Sequence, residues 1–359
     1  MHLVLYNGGN AMYSFVNDYS EGAHPQVLEL LMKCNFEQNT GYGNDIHCDR
    51  AKEYIKKQIE KEDVDIHFIP GGTQSNLLVI SAFLRPHQCV IAADTGHINV
   101  HETGAIEATG HKVVIMPSEN GKLTTNAIQT VLDYHSDEHM VLPKMVYISD
   151  TTELGTIYTK TELTAIHNIC KENGLLLFLD GARLASALTC KSNDLLLKDI
   201  ARLVDVFYIG GTKNGALLGE ALVICKEELK EDFRYLIKQR GAMMAKGFVM
   251  GIQFEALFKE NLYFELGTHA NLMAETIADT LKQCGYLFYT PPCSNQLFPI
   301  LPSGLLERLS EKFDFSVQRI LNEKQSIVRF VTSWATTKES VEELRKFFLD
   351  TLKLRDCVH

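Results

Sequence analysis

Long apolar runs are missing from this sequence: no stretch approaches the roughly 20 consecutive apolar residues that cross a bilayer. The opening MHLVLYNGGNAMYSF has no basic segment and only a four-residue apolar run, so no secretory signal is expected. CxxC pairs are missing too. Nine cysteines, an odd number, are spread over 359 residues. That pattern argues against a disulfide framework and a thiolate zinc site, so no metal is expected and a cytoplasmic location is. Positive charge is scarce, with 35 Lys and Arg against 45 Asp and Glu and a net charge of −10, which disfavours nucleic acid and anionic membrane as partners. There is no GxGxxG and no P-loop, so nucleotide binding of those kinds is not expected. Internal repeats and linkers rich in Pro, Gly or Ser are also absent.

What is present is the composition of a folded globular protein, 45% apolar and 22% charged. At roughly 150 residues per domain, the length suggests two domains. From about residue 64 to 240, short apolar runs alternate with helix-length segments. The candidate strands are 65–69, 89–92, 113–116, 145–149, 175–179, 206–209 and 221–224, and most are continuously hydrophobic, as strands covered on both faces are. Helices are expected at 25–34, 49–62, 73–84, 125–134 and 160–173. The last opens on the capping-box pattern Thr159-Lys160-Thr161-Glu162 and is followed by Gly174. Beyond residue 240 the rhythm changes to helix 268–284, strand 296–301, helix 304–313, strand 326–333 and helix 338–354. The expectation is an α/β fold with a mostly parallel seven-stranded sheet. An arm would span 1–20, a large domain 21–245, and a smaller α+β domain 246–359.

Open parallel sheets bind ligands beyond the carboxyl ends of their strands. Three such ends stand out. Pro70-Gly71-Gly72-Thr73-Gln74-Ser75-Asn76 joins a strand to an apolar helix, a place where free N–H groups and a hydroxyl suit a phosphate; it equally suits a tight turn with Thr73 as cap. A second strand ends in Asp180-Gly181-Ala182-Arg183. A carboxylate desolvated there needs a cation, such as a protonated ring nitrogen, although an Asp-Gly turn that caps a helix has the same sequence. The third end, Ile209-Gly210-Gly211-Thr212-Lys213-Asn214-Gly215, presents a lone lysine. Desolvation makes such an amine a nucleophile toward a carbonyl; a solvated turn lysine is the plainer alternative. Together the three ends match pyridoxal 5′-phosphate: a phosphate site, a partner for the pyridinium nitrogen and an amine for the aldehyde.

With these residues the chain resembles the threonine aldolase and β-eliminating lyase family of fold-type I pyridoxal-phosphate enzymes, from Asn17-Asp18 to Arg329-Phe330-Val331-Thr332. The resemblance implies Lys213 as the Schiff-base lysine, Asp180 as the pyridinium partner, Gly72 and Thr73 at the phosphate, and Arg183 near the cofactor's phenolic oxygen or the substrate carboxylate. The segment from Thr95 to Gly104 is similar to the family's His-Ile-x-x-x-Glu stretch, which assigns His97 to stacking on the ring and to proton transfer, with Glu102 supporting it. Arg329 would bind the substrate α-carboxylate from the small domain. Tyr42 and Gly43 resemble a segment that reaches an active site near a subunit interface. One of Lys238, Arg240 and Lys246 would reach the phosphate of the neighbouring subunit, making the protein a homodimer or homotetramer. His47 and His101 receive no role.

The chain departs from the common aldolase pattern at two places. Asp150-Thr151-Thr152-Glu153 stands where Glu-Asn-Thr-His is usual, removing a histidine implicated in hydroxyl deprotonation, for which Glu153, Thr152 or His97 acting through water would substitute. Asn17 stands where a Ser is common. The implied reaction is retro-aldol cleavage of a β-hydroxy-α-amino acid such as L-threonine or L-allo-threonine to glycine and an aldehyde. β-Elimination or transamination of another amino acid is the alternative, and a fold kept for binding alone would lack the lysine or the aspartate, both present.

Overall fold

The computed structural model describes residues 12–356. Seven strands form the main sheet: β1 (Asp65–Ile69), β2 (Gln88–Ala93), β3 (Lys112–Met116), β4 (Leu142–Ser149), β5 (Leu176–Asp180), β6 (Val206–Gly210) and β7 (Glu220–Ile224), ordered β1-β7-β6-β5-β4-β2-β3. β7 alone runs opposite to the other six strands. Every residue of β2, β5, β6 and β7 is buried, which explains their unbroken hydrophobicity. Alternate residues feed opposite layers. Val146, Leu177 and Phe207 enter one core, and their successors Tyr147, Phe178 and Tyr208 enter the other, beneath the helix Gly72–Phe83.

The helix Lys160–Glu172 starts with both capping-box hydrogen bonds in place, and Gly174 beyond it adopts φ 60°. A third core, containing Phe15, Met273, Leu301, Phe330 and Phe348, underlies the smaller antiparallel sheet of Ile300–Pro302, Gln325–Val331 and Ser316–Asn322. The arm joins it: Tyr13–Ser14 pairs in parallel with Phe313–Asp314, and Phe15 bonds onward to Asp314 and Val331. Residues 1–11 of the expected arm lie outside the described residues.

Several elements differ from the expectation. The helix Phe248–Lys259, placed by the sequence in the second domain, contributes Phe254, Leu257 and Phe258 to the first core. The cores therefore divide not at residues 245–246 but inside the single helix Leu262–Gln283, where Leu266 belongs to the first and Met273 to the second. The strand expected over 296–301 is two short pieces, Gln296–Leu297 and Ile300–Pro302, and the helix before Phe313 stops at Ser310. No described helix is long and apolar enough to cross a membrane.

Candidate active site

The site gathers at the carboxyl edge of the main sheet. Asp180 ends β5 beside Ser149 of β4. Its carboxylate is buried and accepts four hydrogen bonds: from Tyr147 Oη at 2.6 Å, Tyr208 Oη, Asn76 Nδ2 at 3.1 Å and the Ala182 amide at 3.0 Å. Burial raises its pKa, but the His97 charge and the bonds from both phenols and Ala182 outweigh burial and hold Asp180 below the usual carboxylate range. A Cβ on Gly181 would fall 1.9 Å from the Tyr208 carbonyl oxygen, so the turn after Asp180 requires glycine to lie against β6.

His97 Nδ1 lies 2.7 Å from Glu102 Oε1, which also accepts from Asn76 Nδ2 at 2.7 Å. Burial disfavours the imidazolium, yet the Glu102 bond and the Asp180 charge raise the pKa above the ordinary histidine value. Glu153 accepts from the His97 backbone N–H at 2.9 Å and from Ser149 Oγ at 2.7 Å. Burial, reinforced by Asp180, raises its pKa against the Ser149 bond.

Lys213 lies half-buried in the turn after β6, with no hydrogen bond or ion pair among the described residues. Burial and the Arg183 charge depress its pKa against Asp18, Asp180 and Glu220. Glu220, at the start of β7, holds that turn by accepting from the Gly211 amide at 2.9 Å and Thr212 Oγ1 at 2.8 Å; burial pushes its pKa up to about 7. Arg183 forms a bidentate pair with the buried Asp18, at 2.7 and 2.9 Å, and Asn295 Nδ2 donates to the same carboxylate at 2.9 Å. Arg329 Nη2 donates to the Val16 carbonyl at 3.1 Å, while its buried Nε has no hydrogen-bond partner among the described residues; the Asp18 charge, already paired with Arg183, lies near enough to act on it. Burial and the nearby Arg183 lower its pKa.

The model of the β-eliminating lyase family matches residues 19–301. The low-specificity L-threonine aldolase of Pseudomonas aeruginosa is 31% identical over 348 residues, covering 92% of this chain and 96% of that protein. The solved threonine aldolase of Leishmania major is 53% identical with a TM-score of 0.94, covering 95% of this chain and 99% of its own. The chain belongs to the β-eliminating lyase family. As a member it is a pyridoxal-phosphate-dependent lyase, and its sheet is that of fold-type I. The same fold is shared, at 14% identity and a TM-score of 0.71 over 95% of this chain and 92% of that one, by Thermus thermophilus aspartate aminotransferase.

The residues present fit this family's cofactor. Lys213 offers an amine with no hydrogen-bond partner among the described residues. Asp180 is held ionised. The helix Gly72–Phe83 begins at Gly71 with no side-chain cap, leaving first-turn amides free for a phosphate. A Cβ on Gly72 would meet Tyr208 Oη at 3.0 Å, placing this helix start close against the Asp180 cluster.

Six of the residues expected in this lyase site thus share one electrostatic neighbourhood: Lys213, Asp180, Arg183, His97, Glu153 and Arg329. Gly72 and Thr73 open the adjoining helix. Asn17 Oδ1 accepts from the Tyr19 amide and Ser20 Oγ within its own loop, and its neighbour Asp18 pairs with Arg183. Tyr42 forms a separate cluster. Its amide donates to Ala245, and Lys238 Nζ stands 4.7 Å from its ring centroid. The Arg240 carbonyl accepts from Gln74 Nε2 at 3.2 Å, and Lys246 is exposed. The sequence reading left Asn76, Tyr147, Tyr208, Glu220 and Asn295 without roles. Strand register would have pointed to Tyr147, Tyr208 and Glu220, which lie on strands in line with that of Asp180; Asn76, on the helix Gly72–Phe83, and Asn295, outside any strand, carry no such signal.

Proposed function

We propose that the site cleaves a β-hydroxy-α-amino acid such as L-threonine or L-allo-threonine to glycine and an aldehyde. The observation carrying the reading is the half-buried Arg329 guanidinium, whose Nε has no hydrogen-bond partner among the described residues, joined through Arg183 to a Lys213 without hydrogen bond or ion pair among those residues and to an ionised Asp180. Two relatives named threonine aldolases support it. In this reading Lys213 would hold the cofactor aldehyde, Asp180 the ring nitrogen, Gly72 and Thr73 the phosphate, and His97 the ring face. When bound, pyridoxal phosphate supplies an electron sink for the bond broken at Cα.

The protein's own groups do the rest. Arg329 binds the substrate carboxylate by two parallel N–H bonds, and Arg183, fixed by Asp18, flanks the same pocket. Asp180, held ionised, would keep a proton on the ring nitrogen of the cofactor. Glu153, whose Oε1 already accepts from the His97 N–H and Ser149 Oγ, receives the proton from the substrate β-hydroxyl on Oε2, or His97 does so through water when its imidazole is neutral. Glu153 suits this task because its raised pKa brings it nearer the working pH than an exposed carboxylate. The reading includes assembly with a second copy through the Tyr42 and Lys238 cluster, and a reducing, cytoplasmic compartment in which the described cysteines stay free.

Glu153 in place of histidine also favours a second reading, in which an α-proton is removed and the β-substituent leaves. Incubation of the cofactor-loaded enzyme with L-threonine or L-allo-threonine separates the two. Equal glycine and acetaldehyde are expected. Ammonia with 2-oxobutyrate, or turnover of neither isomer, overturns the aldol reading.

A further inference from the structure

The sequence reading expected no metal and gave His47 no role, yet the fold brings Cys34, Glu37 and His47 together with one donor atom of each within 4.8 Å of the others. Cys34 ends the first described helix, Glu37 lies in the following loop, and His47 opens the helix Ile46–Ile59. The imidazole is buried, and both its nitrogens are engaged. Nδ1 lies 2.6 Å from Glu255 Oε2, on the helix Phe248–Lys259, and Nε2 lies 2.7 Å from Glu37 Oε2. Arg50 faces the other oxygen of Glu255 at 3.6 Å, and no other charged side chain pairs with the cluster among the described residues.

We infer that Cys34, Glu37 and His47 form a site for a divalent cation of borderline softness, with zinc the best match. One sulfur, one carboxylate oxygen and one imidazole nitrogen are zinc's customary donors, and three protein ligands leave a fourth position for water. The Glu255 carboxylate on the far ring nitrogen is the arrangement that orients a metal-bound histidine and keeps its other nitrogen toward the ion. Around tetrahedral zinc, donors stand about 3.4 Å apart for nitrogen and oxygen and about 3.6 Å for sulfur and nitrogen. The His47–Glu37 contact therefore opens by about 0.7 Å on binding. Glu37 is 48% exposed and free to turn that far, whereas His47 is locked. Binding releases the Cys34 thiol proton and the proton shared between His47 and Glu37 to solvent.

The site staples the loop of residues 35–45, whose Tyr42 docks on Ala245. It lies apart from the reaction centre and stands whichever reaction the enzyme performs. The test is equilibrium dialysis of chelator-treated, cofactor-loaded enzyme against zinc, with cobalt as a spectroscopic substitute. One zinc per chain is expected. Glu37→Gln, a surface change that the fold tolerates, and Cys34→Ser each weaken binding at least tenfold. Cobalt gives the long-wavelength bands of a tetrahedral site with the natural protein and not with Cys34→Ser. Absence of stoichiometric zinc in the natural protein overturns the inference, as does unchanged affinity in both variants.

Discussion

Replacing Asp18 by Asn tests the electrostatic frame of the site. The substitution keeps the side chain's size but removes the only carboxylate paired with Arg183 among the described residues. Asp18 is 1% exposed, so the guanidinium is left buried, uncompensated and close to two further cations, Lys213 and Arg329. Removing one partner of a buried ion pair costs about 3–5 kcal/mol. At about 2.1 cal/mol/K of unfolding entropy per residue, the whole chain loses roughly 4–7 °C in Tm. The pH dependence has a definite sign. Burial opposes ionisation of Asp18, but Arg183 and Lys213 outweigh it and depress its pKa. Its contribution is then fully present above the ordinary carboxylate pKa of about 4 and is lost only as pH falls through the lower folded value. Melting of the natural protein, Asp18→Asn, Arg183→Gln and the double variant should show the double costing less than the sum by about 0.5–3 kcal/mol. A shift under about 2 °C at neutral pH, or a strictly additive cycle, refutes the reasoning.

Lys213→Ala should abolish turnover and the visible absorbance of lysine-bound cofactor while leaving Tm within a few degrees; an active alanine variant overturns its role. Arg329→Gln should raise KM for the amino acid by about tenfold or more and leave Tm unchanged or higher, because it relieves a repulsion with Arg183. A Tm drop with unchanged KM contradicts that. Burial, with Glu162 adding, pushes Asp150 up to about 8 against the Tyr158 amide and Lys122. Folded Asp150 thus keeps a proton that the unfolded chain has lost, and stability declines by up to about 1.4 kcal/mol per unit as pH rises from about 4 to 8. Asp150→Asn should flatten thermal stability measured across pH 6–8; an unchanged slope counts against a protonated Asp150.

The main sheet was legible because burial on both faces writes each strand as an apolar run, and all seven expected strands form with ends shifted by no more than three residues. The helix Phe248–Lys259 was not, since it is buried nearly all round and shows no polar stripe from which a period is read. The strand Ser316–Asn322 failed for the opposite reason: six of its seven residues are exposed, so nothing alternates. In the site, Asp180 and Lys213 announced themselves as charges at the ends of apolar strands. Tyr147 and Tyr208 did not, because a phenol inside such a strand reads as core until the register aims its hydroxyl at Asp180. Asp18 belongs to the arm, and its tie to Arg183 spans 165 positions that no local pattern records.

The weaving of Phe15 between Asp314 and Val331 sets an order of events during synthesis. Asp18 follows that residue by three positions, and the strands on which its segment rests are made more than 290 residues later. The large sheet has all its strands once residue 224 has emerged, whereas the arm that brings Asp18 to Arg183 is held by strands beyond residue 312. A chain made only as far as the large sheet lacks the strands that hold the arm, and with them one support of the Arg183 pair.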